Sequence, residues 1–163
     1  LGLTKIKTLM IKINVINNNK RWSLFIKNPN IYIDKKVKKL NKKNKKFKKN
    51  IIYCTLLLSG SFEIKNLNKK FRKKNKSTDV LSFPFYSKKN LKLVLKKEKE
   101  VYLGDIIINL EKIKFKKNLM LFKSELDKLW IHGLVHLFGY KHSREKDFKA
   151  MHQLETNFLK YIN

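Results

Sequence analysis

The chain has 163 residues, a formal net charge of +28, and a hydrophobic content of 42%. This length and apolar content suit one folded domain over residues 1–163 and exclude a globally disordered chain. No apolar stretch reaches the roughly 18 residues that a membrane helix needs, so we expect no membrane partner.

The positive charge favours a polyanion such as RNA or DNA as a partner. Only three of the 40 basic residues are arginines, namely Arg21, Arg72 and Arg144. An excess of Lys, Asn and Ile is also typical of a genome rich in A and T, so the charge supports a nucleic-acid partner only weakly. The same compositional bias makes the few arginines more informative about function, because mutation would have replaced an arginine by lysine wherever lysine serves equally well.

The first half of the chain predicts a strand, a helix, a strand and a second helix. Residues 7–16 alternate in part and predict a strand. Residues 31–50 are rich in lysine with apolar residues at helical spacing, which predicts a solvated amphipathic helix. Residues 51–58 predict a second strand, with Cys54 in the core. Ser61 is expected to cap a short helix that ends near residue 71.

The second half predicts two more strands and two more helices. Residues 78–85 predict an edge strand that ends near a proline, and residues 87–100 a polar loop. Residues 101–109 predict a further strand. Residues 124–138 predict a helix, and residues 143–161 a last helix capped by Ser143. The inward-facing residues of the last helix are expected to be Phe148, Met151, Leu154 and Phe158.

Strands followed by helices predict an α+β domain, with a small mixed sheet of about four strands covered by helices. With one cysteine the chain cannot form an internal disulfide, which is typical of the reducing cytoplasm. The amino-terminal segment carries regular lysines and has no small-residue cleavage site, unlike a secretory signal. We therefore expect a cytoplasmic protein.

Three of the four histidines lie within the segment HGLVHLFGYKH. His132 and His136 are four residues apart on a predicted helix, so both project from one face and can share an ion. Gly139 allows a left-handed turn that brings His142 toward them. Three nitrogen ligands leave one position for water, as in catalytic zinc sites. The pattern predicts one zinc ion on a zincin-like helix, whereas the isolated His152 is interpreted as structural or solvated.

The spacing H-x-x-x-H-x-x-G-x-x-H also occurs in metzincin proteases, which carry a glutamate after the first histidine. That position is Gly133 here, and glycine cannot be a general base. A metallopeptidase is therefore a second candidate that the residues disfavour. Histidines that only pack or form hydrogen bonds are a further alternative, which the triple spacing disfavours.

The histidine segment resembles the signature of the YbeY family of bacterial endoribonucleases, which usually reads H-G-x-L-H-L-x-G-Y-D-H. Residues 67–85, LNKKFRKKNKSTDVLSFPF, resemble a family segment with an asparagine, an arginine and then T-D-V-L-S-F-P. Residues 102–109, YLGDIIIN, resemble its L-G-D-I strand. Met151 and Glu155 match an M-x-x-x-E pattern, so the similar segments follow one another in order along most of the chain.

The resemblance implies a zinc-dependent, single-strand-specific endoribonuclease. Such an enzyme acts in maturation of the 3′ end of 16S rRNA and in ribosome quality control, with ribosomal RNA and the small ribosomal subunit as partners. The resemblance also implies that the metal ligands are His132, His136 and His142, and that the family's functional arginine is Arg72. The aspartate that usually precedes the last histidine is Lys141 here, which could contact phosphate instead.

Zinc in this site would lower the pKa of a coordinated water from about 15.7 toward 7 for attack on a phosphodiester, or activate a ribose 2′-OH. Arg72 could stabilise the charge that builds on the phosphate. Asp79 is interpreted as holding Arg72 or capping a turn, and Asp105 as structural or as orienting a ligand histidine. A ribosome-associated RNA-binding protein without catalysis is the remaining alternative. In either case the lysines of residues 35–49 would bind RNA backbone or be merely solvated.

Overall fold

A central β-sheet organises the fold, which a computed structural model describes for residues 9–43, 50–141 and 145–163. Within these residues the sheet has four strands, in the order β1-β2-β4-β3. They are β1 (Leu9–Asn17), β2 (Asn50–Ser59), β3 (Val80–Pro84) and β4 (Glu100–Asn109). β2 pairs in parallel with β1 and with β4, whereas β3 pairs antiparallel with β4 at one edge. The sheet is therefore mixed, as predicted.

Five α-helices pack around this sheet in the described part of the chain. They are α1 (Pro29–Lys43), α2 (Ser61–Arg72), α3 (Lys88–Lys97), α4 (Leu119–Leu137) and α5 (Glu145–Ile162). The larger core lies between one sheet face and helices that include α1, α4 and α5, and α2 covers part of the other face. The predicted α+β fold is confirmed. Among the described helices, none is both long and apolar enough to cross a lipid bilayer.

Residues 87–100 were expected to be a polar loop, and this prediction is wrong because α3 occupies most of them. The Ser87 side chain caps the helix by accepting a hydrogen bond from the Asn90 N–H at 3.2 Å. Leu91 is fully buried, and Val94 and Leu95 pack against the same core. These apolar residues recur at helical spacing, so burial of one face stabilises a segment whose other residues are mostly lysine.

Two predicted helix boundaries also differ from the structure. The helix predicted over residues 31–50 begins at Pro29, and Asn50 already belongs to β2, while residues 44–49 lie outside the described residues. Ser61 is the first residue of α2 rather than its cap, which is Gly60. The Glu111 carboxylate takes the capping role, because it accepts a hydrogen bond from the Ser61 N–H at 2.9 Å.

The last two helices depart from prediction at their starts. α4 begins at Leu119, five residues early, because the Asn118 side chain accepts hydrogen bonds from the first backbone N–H groups. The predicted cap of the last helix, Ser143, lies outside the described residues. Phe148 is 55% exposed, contrary to prediction, because it lies in the first turn of α5, ahead of the core residues that begin at Met151, and its ring is parallel to that of the exposed His152. The other three residues predicted to face inward are buried, namely Met151, Leu154 and Phe158.

A glycine lets α4, the helix that carries the histidines, approach the sheet closely. A Cβ atom on Gly133 would lie 2.5 Å from Ile106 Cγ2 and 3.2 Å from Ser82 Oγ. Any side chain here would force α4 away from β3 and β4. Gly133 therefore fixes the depth at which His132 and His136 lie above the sheet edge.

A buried carboxylate in the middle of α4, that of Asp127, links this helix to α1. Asp127 accepts hydrogen bonds from the Tyr32 hydroxyl at 3.0 Å and from Trp130 Nε1 at 3.0 Å, and it pairs with Lys36 Nζ at 2.8 Å. Burial and the adjacent carboxylate raise the pKa of Tyr32, so its hydroxyl stays a donor. This network holds α4 against α1. It also gives Lys36, one of the many lysines of α1, a role in the fold.

The single cysteine is a core residue, as predicted. Cys54 is 1% exposed and lies on β2. Burial raises the pKa of its thiol to about 12, and the nearby Asp105 carboxylate acts in the same direction. The thiol therefore stays protonated at neutral pH and has no nucleophilic character.

Candidate active site

Two histidine rings face each other on α4. The Nε2 atoms of His132 and His136 are 3.0 Å apart, and the rings lie at 87° to each other with centroids 4.5 Å apart. Their spacing of four residues brings both side chains to one helix face, as predicted. The sequence pattern thus places two of the three predicted ligands side by side.

Acceptor groups fix the opposite nitrogen of each ring. His132 Nδ1–H donates to Glu155 Oε1 at 2.7 Å, and His136 Nδ1–H donates to the Tyr140 carbonyl oxygen at 2.9 Å. A carbonyl can only accept, and a carboxylate beside an imidazole accepts, so in the neutral rings the protons lie on Nδ1. Each Nε2 then turns a lone pair toward the other ring. Two lone pairs at this distance repel unless a cation or a proton lies between them.

This donor set fits a zinc ion. Two nitrogens that each lie about 2.0–2.1 Å from one tetrahedral zinc are roughly 3.3 Å apart, close to the separation of the two Nε2 atoms. Carboxylate and carbonyl groups behind the rings are also the usual partners of metal-binding histidines. The predicted third ligand, His142, lies outside the described residues, within which no group of three metal-binding side chains is found.

The turn after α4 positions this pair. Gly139 has a φ angle of +80°, as predicted, and a Cβ atom there would lie 2.8 Å from the Lys88 Cα atom. Both features require glycine. The turn brings the Tyr140 carbonyl back to His136 and presses the chain against the start of α3.

A cleft of about 570 Å³ opens in front of the two histidines. Arg72, at the end of α2, lines it together with His132 and His136, which places the predicted arginine and the histidines in one site. Arg72 Nη2 donates to the Ser82 carbonyl oxygen at 3.0 Å, and its guanidinium carbon lies 5.9 Å from the centre of the Phe83 ring. Backbone and ring together orient the guanidinium beside the cleft.

The remaining predicted residues have different positions. Asp79 lines the cleft, and its carboxylate accepts hydrogen bonds from the Thr78 hydroxyl and from the Val80 N–H at the start of β3. Its contacts in the described part of the chain include no ion pair with Arg72. Asp105 accepts a hydrogen bond from the Tyr102 hydroxyl at 2.6 Å. It lies on the opposite face of β4 from Ile106, which packs against α4.

Glu155 is the site residue whose role the sequence does not reveal. Its carboxylate contacts His132 and so orients a predicted ligand histidine, which is the role that the sequence suggested for Asp105. Glu155 also lines the cleft. The M-x-x-x-E pattern is the sequence signal that singles out Glu155. Its carboxylate is half-buried on α5, where a glutamate without a partner would be unusual. His152, interpreted as structural or solvated, is exposed on α5 and lines the same cleft.

A second cleft of about 680 Å³ adjoins the first and shares Arg72, Ser82 and His136 with it. The start of α3 and the turn after α4 form its walls. Lys141, which occupies the position of the aspartate in the motif, is exposed and lines this second cleft. His136 thus lies where the two clefts meet.

Comparisons with known proteins give consistent matches. The sequence profile of the family described as Endoribonuclease YbeY matches residues 15–163. A Pelagibacter ubique protein named Endoribonuclease YbeY is 44% identical over 155 residues, which cover 94% of this chain and 97% of that protein. A protein of the same name from Buchnera aphidicola subsp. Acyrthosiphon pisum is 39% identical over 71% of this chain and 72% of its own length. A solution structure of a Thermotoga maritima protein is similar in fold, with a TM-score of 0.55 and 23% identity over 93% of this chain and 89% of that one.

Proposed function

Because this chain belongs to the YbeY endoribonuclease family, we propose that it is a zinc-dependent enzyme that cleaves single-stranded RNA. The observation that carries the proposal is the pair of facing imidazole nitrogens 3.0 Å apart, with Arg72 beside the same cleft. The proposed role is maturation of the 3′ end of 16S rRNA and ribosome quality control. Its partners would be ribosomal RNA and the small ribosomal subunit in the cytoplasm, with residues 1–163 as one catalytic domain.

His132, His136 and His142 would hold one zinc ion. When bound, zinc would supply Lewis acidity that lowers the pKa of water or of a ribose 2′-OH and polarises a phosphoryl oxygen. Glu155 and the Tyr140 carbonyl hold the two imidazoles in the required tautomer and orientation. This α4 would then be a zincin-like metal-binding helix.

Arg72 would bind the non-bridging oxygens of the phosphate at which cleavage occurs. One guanidinium nitrogen donates to the Ser82 carbonyl, and Arg72 forms no ion pair with any carboxylate of the described residues. Its other N–H groups can therefore donate to phosphate as negative charge develops there. The exposed position of Arg72 leaves room for a polymer to pass along the cleft.

The packing of Gly133 argues against a peptidase. A metzincin-like base would need a glutamate side chain at this position, but even a Cβ atom would collide with Ile106. A non-catalytic RNA-binding protein would not need two imidazoles with their Nδ1 protons fixed by acceptors.

The proposal predicts metal-dependent cleavage of single-stranded RNA. A labelled single-stranded oligoribonucleotide should be cut by the zinc-loaded protein, whereas the same sequence in a duplex should resist. A chelator should abolish cleavage, and added zinc should restore it. Denaturing gel electrophoresis measures both effects. Casein cleavage, or RNA binding without cleavage at any metal concentration, would contradict the proposal.

The proposed zinc site makes Glu155 a positioning residue. Replacing Glu155 by alanine should weaken zinc binding about 10- to 100-fold, because the carboxylate orients His132 and makes its Nε2 more basic. Glu155→Gln keeps an acceptor oxygen and should show a smaller loss. Competition with a chromophoric chelator measures the affinity.

Glu145→Ala is the matched control for this test. Glu145 lies on the same helix and pairs only with the exposed Lys149 among the described residues, with 81% of its side chain exposed. Its replacement should leave zinc affinity unchanged. Equal losses in both variants would mean that general acidity of α5, and not the contact with His132, holds the metal.

A further inference from the structure

The two clefts that meet at His136 differ in charge. The first combines Arg72 and Lys128 with the carboxylates of Asp79 and Glu155. The second is lined by the cations Arg72, Lys88, Lys89 and Lys141, and by no carboxylate among the described residues. A polyanion therefore gains more from the second cleft than from the first.

The cations of the second cleft are held in position by the fold. Lys88 begins α3, its backbone packs against Gly139, and its Nζ lies 4.0 Å from the centre of the Tyr140 ring. Gly139 and Tyr140 belong to the turn that fixes His136, so Lys88 is coupled to the site by direct packing. Lys89 and Lys141 lie beside it on α3 and on the turn, and neither pairs with a described carboxylate.

The same cleft offers aromatic rings. Phe85 is 68% exposed, and the centre of its ring lies 5.0 Å from the centre of the half-buried Tyr86 ring in an edge-to-face arrangement. Exposed rings beside a basic groove are the usual platform for bases of single-stranded nucleic acid, because every base has a face that stacks. An acidic protein segment would use the lysines but would have little use for an exposed phenylalanine.

We infer that the second cleft is a substrate subsite, which binds the phosphates of nucleotides adjacent to the cleaved bond through Lys88, Lys89 and Lys141 while a base stacks on Phe85. This inference rests on the proposed function for the identity of the bond but not for the binding itself. The subsite fixes the RNA on one flank, so substrates that lack this flank bind weakly. It also gives Lys141 a role, since the aspartate of the motif would repel phosphate at this position.

The test compares two lysine pairs on one helix. The double variant K88Q/K89Q changes the subsite, and K96Q/K97Q removes the same charge from the exposed last turn of α3. With zinc-loaded protein and single-stranded RNA, KM should rise about tenfold in K88Q/K89Q while kcat stays within about twofold. K96Q/K97Q should behave as wild type. An equal rise in KM for both pairs would overturn the inference, because it would report net charge alone.

Salt dependence gives a second readout that does not need cleavage. Fluorescence anisotropy with a single-stranded DNA of the same sequence measures binding at several salt concentrations. The magnitude of the negative slope of log affinity against log salt should fall by about 0.7 for each phosphate contact that is lost. It should therefore be smaller in K88Q/K89Q and in K141Q, but not in K96Q/K97Q. K141Q lies outside α3 and keeps the test open if the first double variant folds poorly.

Truncated substrates complete the test and separate it from the proposed function. Removing nucleotides from one flank of the RNA should erase the difference in KM between wild type and K88Q/K89Q, and removal from the other flank should not. If wild type cuts no RNA, the proposed function fails, yet the anisotropy slopes still decide whether the lysines bind phosphate. Unchanged slopes, or tighter lysine-dependent binding of an acidic peptide than of nucleic acid, would overturn the subsite.

Discussion

Replacing His136 by alanine should abolish both zinc binding and RNA cleavage. The substitution removes one of two Nε2 atoms that face each other at 3.0 Å, so a metal ion would keep at most two of its three proposed ligands. A bound metal contributes several kcal/mol to the stabilisation of transition-state charge, and each 1.4 kcal/mol is a factor of ten in rate. We therefore expect the rate of cleavage to fall by roughly 10³-fold or more. Metal analysis of the purified variant, together with the cleavage assay, measures both losses.

His152→Ala is the matched control for His136→Ala. His152 is an exposed histidine that lines the same cleft, and it stacks on Phe148 of its own helix. Its removal should leave the zinc content unchanged and alter the rate by less than about tenfold. Full zinc content in His136→Ala, or equal zinc loss in both variants, would remove the basis of the proposed metal site.

The sequence predicts the sheet well because strand burial follows simple apolar patterns. β2 alternates between buried and half-buried residues, and β4 contains the short apolar stretches Val101–Leu103 and Ile106–Ile108, so both are recognisable without tertiary information. The sequence predicts a polar loop in place of helix α3, because lysines outnumber the apolar residues of this segment and mask their helical spacing. Its structure depends on burial of Leu91 against a core that only the folded chain provides.

The site could be predicted where its residues are close in sequence. His132 and His136 share a helix face. Arg72 donates a hydrogen bond to the Ser82 carbonyl only ten residues later, within the motif of residues 67–85. The contact between His132 and Glu155 spans 23 residues and joins two helices, so no local spacing reveals it. The side of the sheet on which Asp105 lies could have been foreseen, because Ile106 beside it is part of the core and neighbouring residues of a strand face opposite ways.

Replacing Arg72 by alanine should lower kcat about 10²- to 10³-fold, while zinc stays bound. The guanidinium lies beside the cleft, held by the Ser82 carbonyl and the Phe83 ring, and it makes no contact with either histidine that the described structure shows. Removing one donor to a developing negative charge typically costs this much in kcat. Arg72→Lys keeps the charge but loses the planar fork, so its rate should lie between those of wild type and Arg72→Ala. Single-turnover cleavage kinetics and metal analysis measure the two quantities separately.

Arg21→Ala separates this local role from the effect of net charge. Arg21 is an exposed arginine that pairs with Glu111 at 3.0 Å and lines neither of the two clefts. Its removal changes the net charge as much as Arg72→Ala does, and it should leave kcat unchanged. If both arginine variants lose activity equally, the rate depends on overall attraction of RNA. If only Arg72→Ala loses activity and its zinc content is full, the guanidinium acts on the phosphate itself, because the metal is retained and the same loss of net charge in Arg21→Ala has no effect.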